Sequence, residues 1–158
     1  MYLINKPNRK KILVIFLILI FIESTESKNW GFYAHKKINE MAIYTLPESM
    51  RTFYLENMDK IISYAILPDQ RRYILDQEAE KHYMDLDYYK TLEYFKSDTI
   101  SYGEKYLMIS KEDLKRHGIA GWNLPKYYKL LVKAFREKDK EEILKKSAEL
   151  GHYLADLH

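Results

Sequence analysis

The chain has 158 residues, enough for one domain, and no cysteine, which excludes disulfides as a source of its stability. Its formal charge of +3 resides at the N-terminus: residues 1–29 hold five of the basic and two of the acidic side chains, leaving 21 of each from Trp30 onward. A neutral body gives no net-charge argument for nucleic acid or an acidic membrane as partner.

Lys6, Arg9, Lys10 and Lys11 precede an apolar run, Ile12 to Ile22, and the polar stretch ESTESKN follows. Basic, apolar and polar segments in that order read as a secretory signal peptide over 1–29, and the product is expected to be secreted or periplasmic. The apolar run has 11 residues, whereas a spanning helix needs about 20. No stable membrane anchor is expected once the leader is removed. Metal ions can supply the cross-links that cysteine does not.

From Trp30 the pattern is helical. His35, Ile38, Met41/Ala42 and Leu46 recur at three-to-four spacing up to Pro47. Met50, Phe53/Tyr54, Met58 and Ile61/Ile62 continue it. Leu67 to Asp98 is polar, Tyr-rich and weakly periodic, and reads as short helices and loops. Ser110 is placed to cap a short helix ending at Gly118. GIAGW reads as a turn, followed by a helix from about Leu124 to Glu137 with Tyr128, Leu131, Ala134 and Phe135 inside. Asp139 caps a final helix. No strand pattern of useful length appears, and the expected class is all-α: one multi-helix domain, 30–158, around a metal cluster.

On the final helix Ile143, Ser147, Leu150, Leu154 and Leu157 share one stripe, with His152 and Asp156 near the opposite side. At i and i+4 those two project together. Ala148, Gly151 and Ala155 flank them and let other elements approach. Imidazole nitrogen and carboxylate oxygen are both good zinc donors. Taken singly, each candidate has an ordinary reading: a His–Asp hydrogen bond on a solvated face for His152 and Asp156, a core histidine for His35, a turn carboxylate for Asp69. His82 sits among aromatics and two acids, Asp85 and Asp87, and His117 precedes Gly118 at a helix C-terminus.

WGFYAH, LPDQRR, HYMDLD and GHYLADLH follow one another in a single order with sensible gaps. Together they resemble the superfamily of zinc-dependent phospholipase C and the fungal and plant single-strand-specific nucleases. HYxxDxH, present as His152 to His158, is the most specific motif, and the spacing from Trp30 to His35 resembles the nuclease branch. The resemblance implies a mainly helical domain with three Zn2+ ions in a cleft. Trp30, freed by leader removal, would bind one zinc through its amino nitrogen and carbonyl oxygen, joined by His35. A free α-amino group with a pKa of about 7.7–8.0 can give way to a metal at neutral pH. Asp69, His82 and His152 would hold a second zinc, Asp156 would bridge the two, and Asp69 would also act catalytically as a proton acceptor. Asp85 is a candidate orienting partner for a ligand histidine.

The resemblance places the third zinc's His, His and acidic ligands beyond His158, so the chain is expected to be an N-terminal fragment with two sites represented. The family's Pro-Trp pair before the penultimate helix is here Gly121-Trp122. The implied function is an exported zinc-dependent phosphodiesterase, with a lean to nuclease over phospholipase C. Its substrate would be a phosphodiester, single-stranded nucleic acid or phospholipid, and no protein partner is implied. Tyr33, Tyr83, Tyr88 and Tyr89 are available to stack unpaired bases. The rivals are an exported helical zinc-binding remnant without activity, and a metal-free protein whose five histidines are structural.

Overall fold

The first buried face of the molecule is a register of three residues, His35, Asn39 and Ile43, spaced one helical turn apart. A computed structural model describes residues 31–158, and they lie on α1, residues 31–45. Ile38 and Met41, which the spacing placed inside, are about half exposed. The inner face follows the i, i+4, i+8 row because Asn39 serves the interior: its Nδ2 donates to the His35 carbonyl at 3.0 Å. The leader assigned to 1–29, and Trp30, lie outside the described residues.

Helices then follow in order: α2 (Glu48–Leu55), α3 (Met58–Tyr64), α4 (Leu67–Arg71), a 3₁₀ turn (Ala79–Lys81), α5 (Leu86–Thr91), α6 (Glu93–Lys96), α7 (Tyr102–Met108), α8 (Lys111–His117), α9 (Ala120–Glu137) and α10 (Lys140–Asp156). Among the described residues there is no strand, and the fold is all-α. No helix among them is long and apolar enough to cross a membrane. The short pieces have local causes. Ser101 and Glu104 form a reciprocal capping box at α7, and the Ser110 hydroxyl accepts from Asp113 N at α8. Gly118 ends α8 at φ 77°, where a side chain would meet the Tyr83 carbonyl. Asp139 caps α10 through Glu142 N, as its position indicated.

The start of α9 differs from the sequence expectation. The helix opens at Ala120, so Gly121 and Trp122 are helical and Pro125 lies inside it. Tertiary bonds anchor this earlier start: Ile119 N donates to the Glu80 carbonyl at 2.6 Å and Ala120 N to Tyr83 at 3.0 Å. Trp122 also stacks on Tyr102, and its Nε1 donates to the Tyr102 carbonyl. Pro125 lacks the N–H that would reach the Gly121 carbonyl, a cost these contacts outweigh. The inner face is shifted too: Tyr127 and Ala134 are buried, while Tyr128 and Phe135 are exposed.

Residues 35–158 form one compact unit, and α10 is its centre. It packs along α9, α3 and α4. Ile43, Tyr54, Ile61, Ala134, Ile143, Leu144 and Ala148 make the apolar core, closed by Leu46, Phe53, Met58, Tyr64 and Leu131. The buried seam of α10 is Ile143, Leu144, Ala148, Glu149, His152 and Tyr153. Leu154 and Leu157, expected on its apolar stripe, are exposed. The interior is apolar at the N-terminal half of α10 and polar at the C-terminal half, where a charged network replaces hydrocarbon.

That network centres on Arg71. Its guanidinium bonds Glu149, Glu78 (3.2 Å), the Tyr127 hydroxyl (3.2 Å) and the Tyr153 hydroxyl (3.1 Å). Lys81 closes on Glu78 at 2.6 Å and Lys146 on Glu149 at 2.9 Å. Two buried carboxylates thus face three cations and two hydroxyls, which satisfies groups that would be costly to bury alone. The network ties α4, the 3₁₀ turn, α9 and α10 together, and three of these carry the residues of the candidate site.

Candidate metal centre

Five side chains expected as ligands meet in one place. α1 brings His35, α4 brings Asp69, the residue after the 3₁₀ turn is His82, and α10 supplies His152 and Asp156 one turn apart. All three histidines are buried, and the two carboxylates are about five-sixths buried.

Asp156 divides its oxygens. Oδ1 lies 3.2 Å from His35 Nε2, while Oδ2 lies 2.8 Å from His82 Nδ1 and 3.2 Å from His152 Nε2. Asp69 sits across from it, with Oδ1 at 3.8 Å from His82 Nδ1 and 3.9 Å from His152 Nε2, and Oδ2 at 3.9 Å from His35 Nε2. His82 Nδ1 and His152 Nε2 are 3.2 Å apart. Donor atoms around a four-coordinate zinc at about 2.1 Å are separated by about 3.4 Å. Around His82 Nδ1 and His152 Nε2 the separations to each other, to Asp156 Oδ2 and to Asp69 Oδ1 run from 2.8 to 3.9 Å, on either side of that value. His35 Nε2, Asp156 Oδ1 and Asp69 Oδ2 form a second, more open group; Trp30, assigned to the same ion, is outside the described residues.

The protonation pattern suits a cation. His152 Nδ1 donates to the Ala65 carbonyl at 2.7 Å, so in the neutral ring Nε2 carries a lone pair. That lone pair faces the Asp156 carboxylate, and two acceptors at 3.2 Å need a proton or a metal between them. His35 stacks on His152 with ring centroids 3.7 Å apart; two imidazolium rings at that distance would repel. Burial opposes ionisation of Asp156, but the imidazoles of His152, His35 and His82 around it outweigh that and hold the carboxyl well below the usual range. His35 Nδ1 and His82 Nε2, the ring nitrogens not used at the cluster, are buried without a protein partner. Three imidazoles and two carboxylates in this arrangement can hold a metal ion, with the triads His35–Asp69–His152 and His82–His152–Asp156 each within ligating reach.

Two expectations are corrected. Asp85 does not orient a cluster histidine: it caps α5 through Tyr88 N, and its Oδ2 takes His117 Nδ1 at 3.0 Å. The His152 orienting group is instead the Ala65 carbonyl at the end of α3, a backbone atom that no side-chain motif marks. Tyr89 is fully buried, with its hydroxyl on the Gly118 carbonyl, and cannot stack a base. Tyr88 stacks on His117, while Tyr33 and Tyr83 are exposed.

Sequence reasoning missed Arg72. Its Nη1 is 3.4 Å from Asp69 Oδ1, and half of its side chain is exposed. The group sets a positive charge at the rim of an acidic cluster, and LPDQRR contained it without singling it out. No family model, curated protein or solved structure matches this chain.

Proposed function

We propose that the protein is an exported zinc-dependent phosphodiesterase of the phospholipase C and single-strand-specific nuclease type, with nucleic acid favoured over phospholipid. The observation that carries the reading is the split Asp156 carboxylate, one oxygen toward His35 and the other toward His82 and His152. One carboxylate shared between His35 on one side and His82 with His152 on the other would suit two cations. Asp69, His82 and His152 would hold one zinc with Asp156, and His35 with Trp30 would hold the other.

Bound zinc supplies Lewis acidity and lowers the pKa of a coordinated water toward neutrality. Asp69 faces the same space and would accept a proton from an attacking water. Arg72, half exposed on the Asp69 carboxylate, offers a guanidinium to a phosphate oxygen. Burial of the three histidines fixes their rings in place as donors. The lean to nucleic acid rests on the spacing of Trp30 and His35 and on exposed Tyr33 and Tyr83.

Metal counting on the purified protein, with hydrolysis of single-stranded RNA and DNA set against a phosphatidylcholine emulsion, tests this. Zinc with cleavage of nucleic acid is the expected result. Zinc with cleavage of the lipid alone reverses the substrate. Two zinc ions without any hydrolysis makes the protein a binding module, and no bound metal removes the reading at its root.

A further inference from the structure

Asp69 and His82 sit on the least self-supporting parts of the candidate metal centre. α4 has five residues and no side-chain cap, and the 3₁₀ turn before His82 has three. Helices this short do not hold themselves in water. Their places are set by what neighbouring side chains bind. Arg71 follows Asp69 by two residues on α4. Glu78 is the residue in front of the 3₁₀ turn, and His82 is the residue behind it. Glu149 precedes His152 by about one turn of α10.

The Arg71 guanidinium reaches all three elements. Nη1 donates to Glu149, while Nη2 donates to Glu78 Oε1 at 3.2 Å and to the Tyr153 hydroxyl at 3.1 Å. The Tyr153 hydroxyl in turn donates to the same Glu78 oxygen. The Tyr153 ring meets His82 and His152 edge-on, with centroids 5.2 Å and 5.5 Å away. Both carboxylates are buried. Apolar side chains of similar volume would be cheaper to bury than these ions. What the ions add is direction: a planar fork fixes two carboxylates in place, which neither hydrocarbon nor the point charge of a lysine does.

We infer that Arg71 is a positioning residue for the metal centre: through Glu78, Glu149 and Tyr153 it sets Asp69 and His82 against the His152–Asp156 pair of α10. Asp69 Oδ1 lies 3.8 Å from His82 Nδ1, which lies 3.2 Å from His152 Nε2. A ligand set drawn from three elements tolerates displacements of only about 0.5 Å. This deepens the phosphodiesterase reading and rests on it for the ion. The seating of the side chains themselves depends on no bound metal.

The test compares Arg71→Lys with Leu144→Ala, a variant of the apolar core that loses stability without touching the network. Histidine-ring NMR of the metal-free chain and zinc titration are the two readouts. In Arg71→Lys the His82 ring signals are expected to shift and broaden, and zinc at the Asp69–His82–His152 group to bind about 10- to 100-fold more weakly. Leu144→Ala is expected to melt earlier and to keep wild-type His82 signals and zinc affinity. Tyr153→Phe removes only the hydroxyl that Arg71 and Glu78 share. It should act in the same direction more weakly, and it carries the test where Arg71→Lys does not fold. Wild-type rings and affinity in Arg71→Lys, or in Tyr153→Phe where only that variant folds, overturn the proposal. An equal change in Leu144→Ala does the same, because the network is then structural only. So does a His82 ring that moves while zinc affinity holds. A wild-type chain that takes up no zinc removes the phosphodiesterase reading instead, and the ring signals of the metal-free variants then decide the role of Arg71 by themselves.

Discussion

His152 Nε2 lies 3.2 Å from Asp156 Oδ2, one turn along the same helix, while the other nitrogen of that ring is fastened to the Ala65 carbonyl on α3. A backbone carbonyl therefore chooses the tautomer that turns a lone pair toward the cluster. His152→Ala removes the anchor and the donor together. The expected result is loss of the metal held with His82 and Asp156, and destabilisation by roughly 3 kcal/mol, since a fully buried group with two polar partners is deleted. Metal content and thermal melting check it; unchanged values for both would refute the assignment.

Asp156→Asn keeps the shape of the shared carboxylate and removes its charge. Metal stoichiometry is expected to fall, because each of the two donor groups loses one of its two carboxylate charges and keeps only that of Asp69. Chelation of the wild-type protein should lower its melting temperature in proportion to the metal removed, as ligands that bind only the folded state stabilise it. If the proposed phosphodiesterase activity is present, Asp69→Asn should retain the fold and reduce hydrolysis by a factor of about 10² or more. Titration calorimetry and turnover measurements distinguish the two variants.

Acid stability should report Glu78. Burial raises its pKa, but hydrogen bonds from Lys81 and Tyr153 and the charge of Arg71 prevail, so the folded-state value lies below the ordinary 4.5. A carboxyl depressed on folding stabilises the native state above its unfolded pKa, and that contribution disappears as pH falls through the folded value. Glu78→Gln is therefore expected to lower stability at pH 7 and to flatten the decline below about pH 4.5. Denaturant melts at pH 7, 5 and 3 read the slope directly; an unaltered slope would show that Glu78 does not carry it.

Two backbone positions with positive φ give opposite expectations. Gly118 holds φ 77°, and a Cβ there would lie 2.1 Å from the Tyr83 carbonyl oxygen. Gly118→Ala should cost about 2–4 kcal/mol and disturb the segment just after His82. Lys138 ends α9 at φ 57° with an ordinary side chain. Lys138→Gly relieves that strain and should stabilise by about 0.5–1 kcal/mol. Thermal melting of the pair checks both signs.

Several features were legible before any coordinates. Caps at Ser110 and Asp139 and the stop at Gly118 depend on neighbours within four residues, so the local sequence contains their cause. His152 with Asp156 was visible for the same reason, since helical geometry brings i and i+4 together. The early start of α9 was not, because its first donors bond to Glu80 and Tyr83, some forty residues away in the chain. Helix faces were misjudged on α1, α9 and α10 for one reason. Asn39, Tyr127 and Glu149 count as polar or amphipathic in a periodicity pattern, yet each is buried with partners from its own or other elements.

The sequence by itself determined an all-helical chain, its main caps, and the identity of the histidines and carboxylates that gather at one site. Those follow from short-range geometry and from side-chain chemistry. Only the tertiary structure decided that Asp156 turns one oxygen to His35 and the other to His82 and His152, and that Ala65 rather than Asp85 orients a ring. Such relationships are distances between residues far apart in the chain, and packing, which no local pattern encodes, sets them.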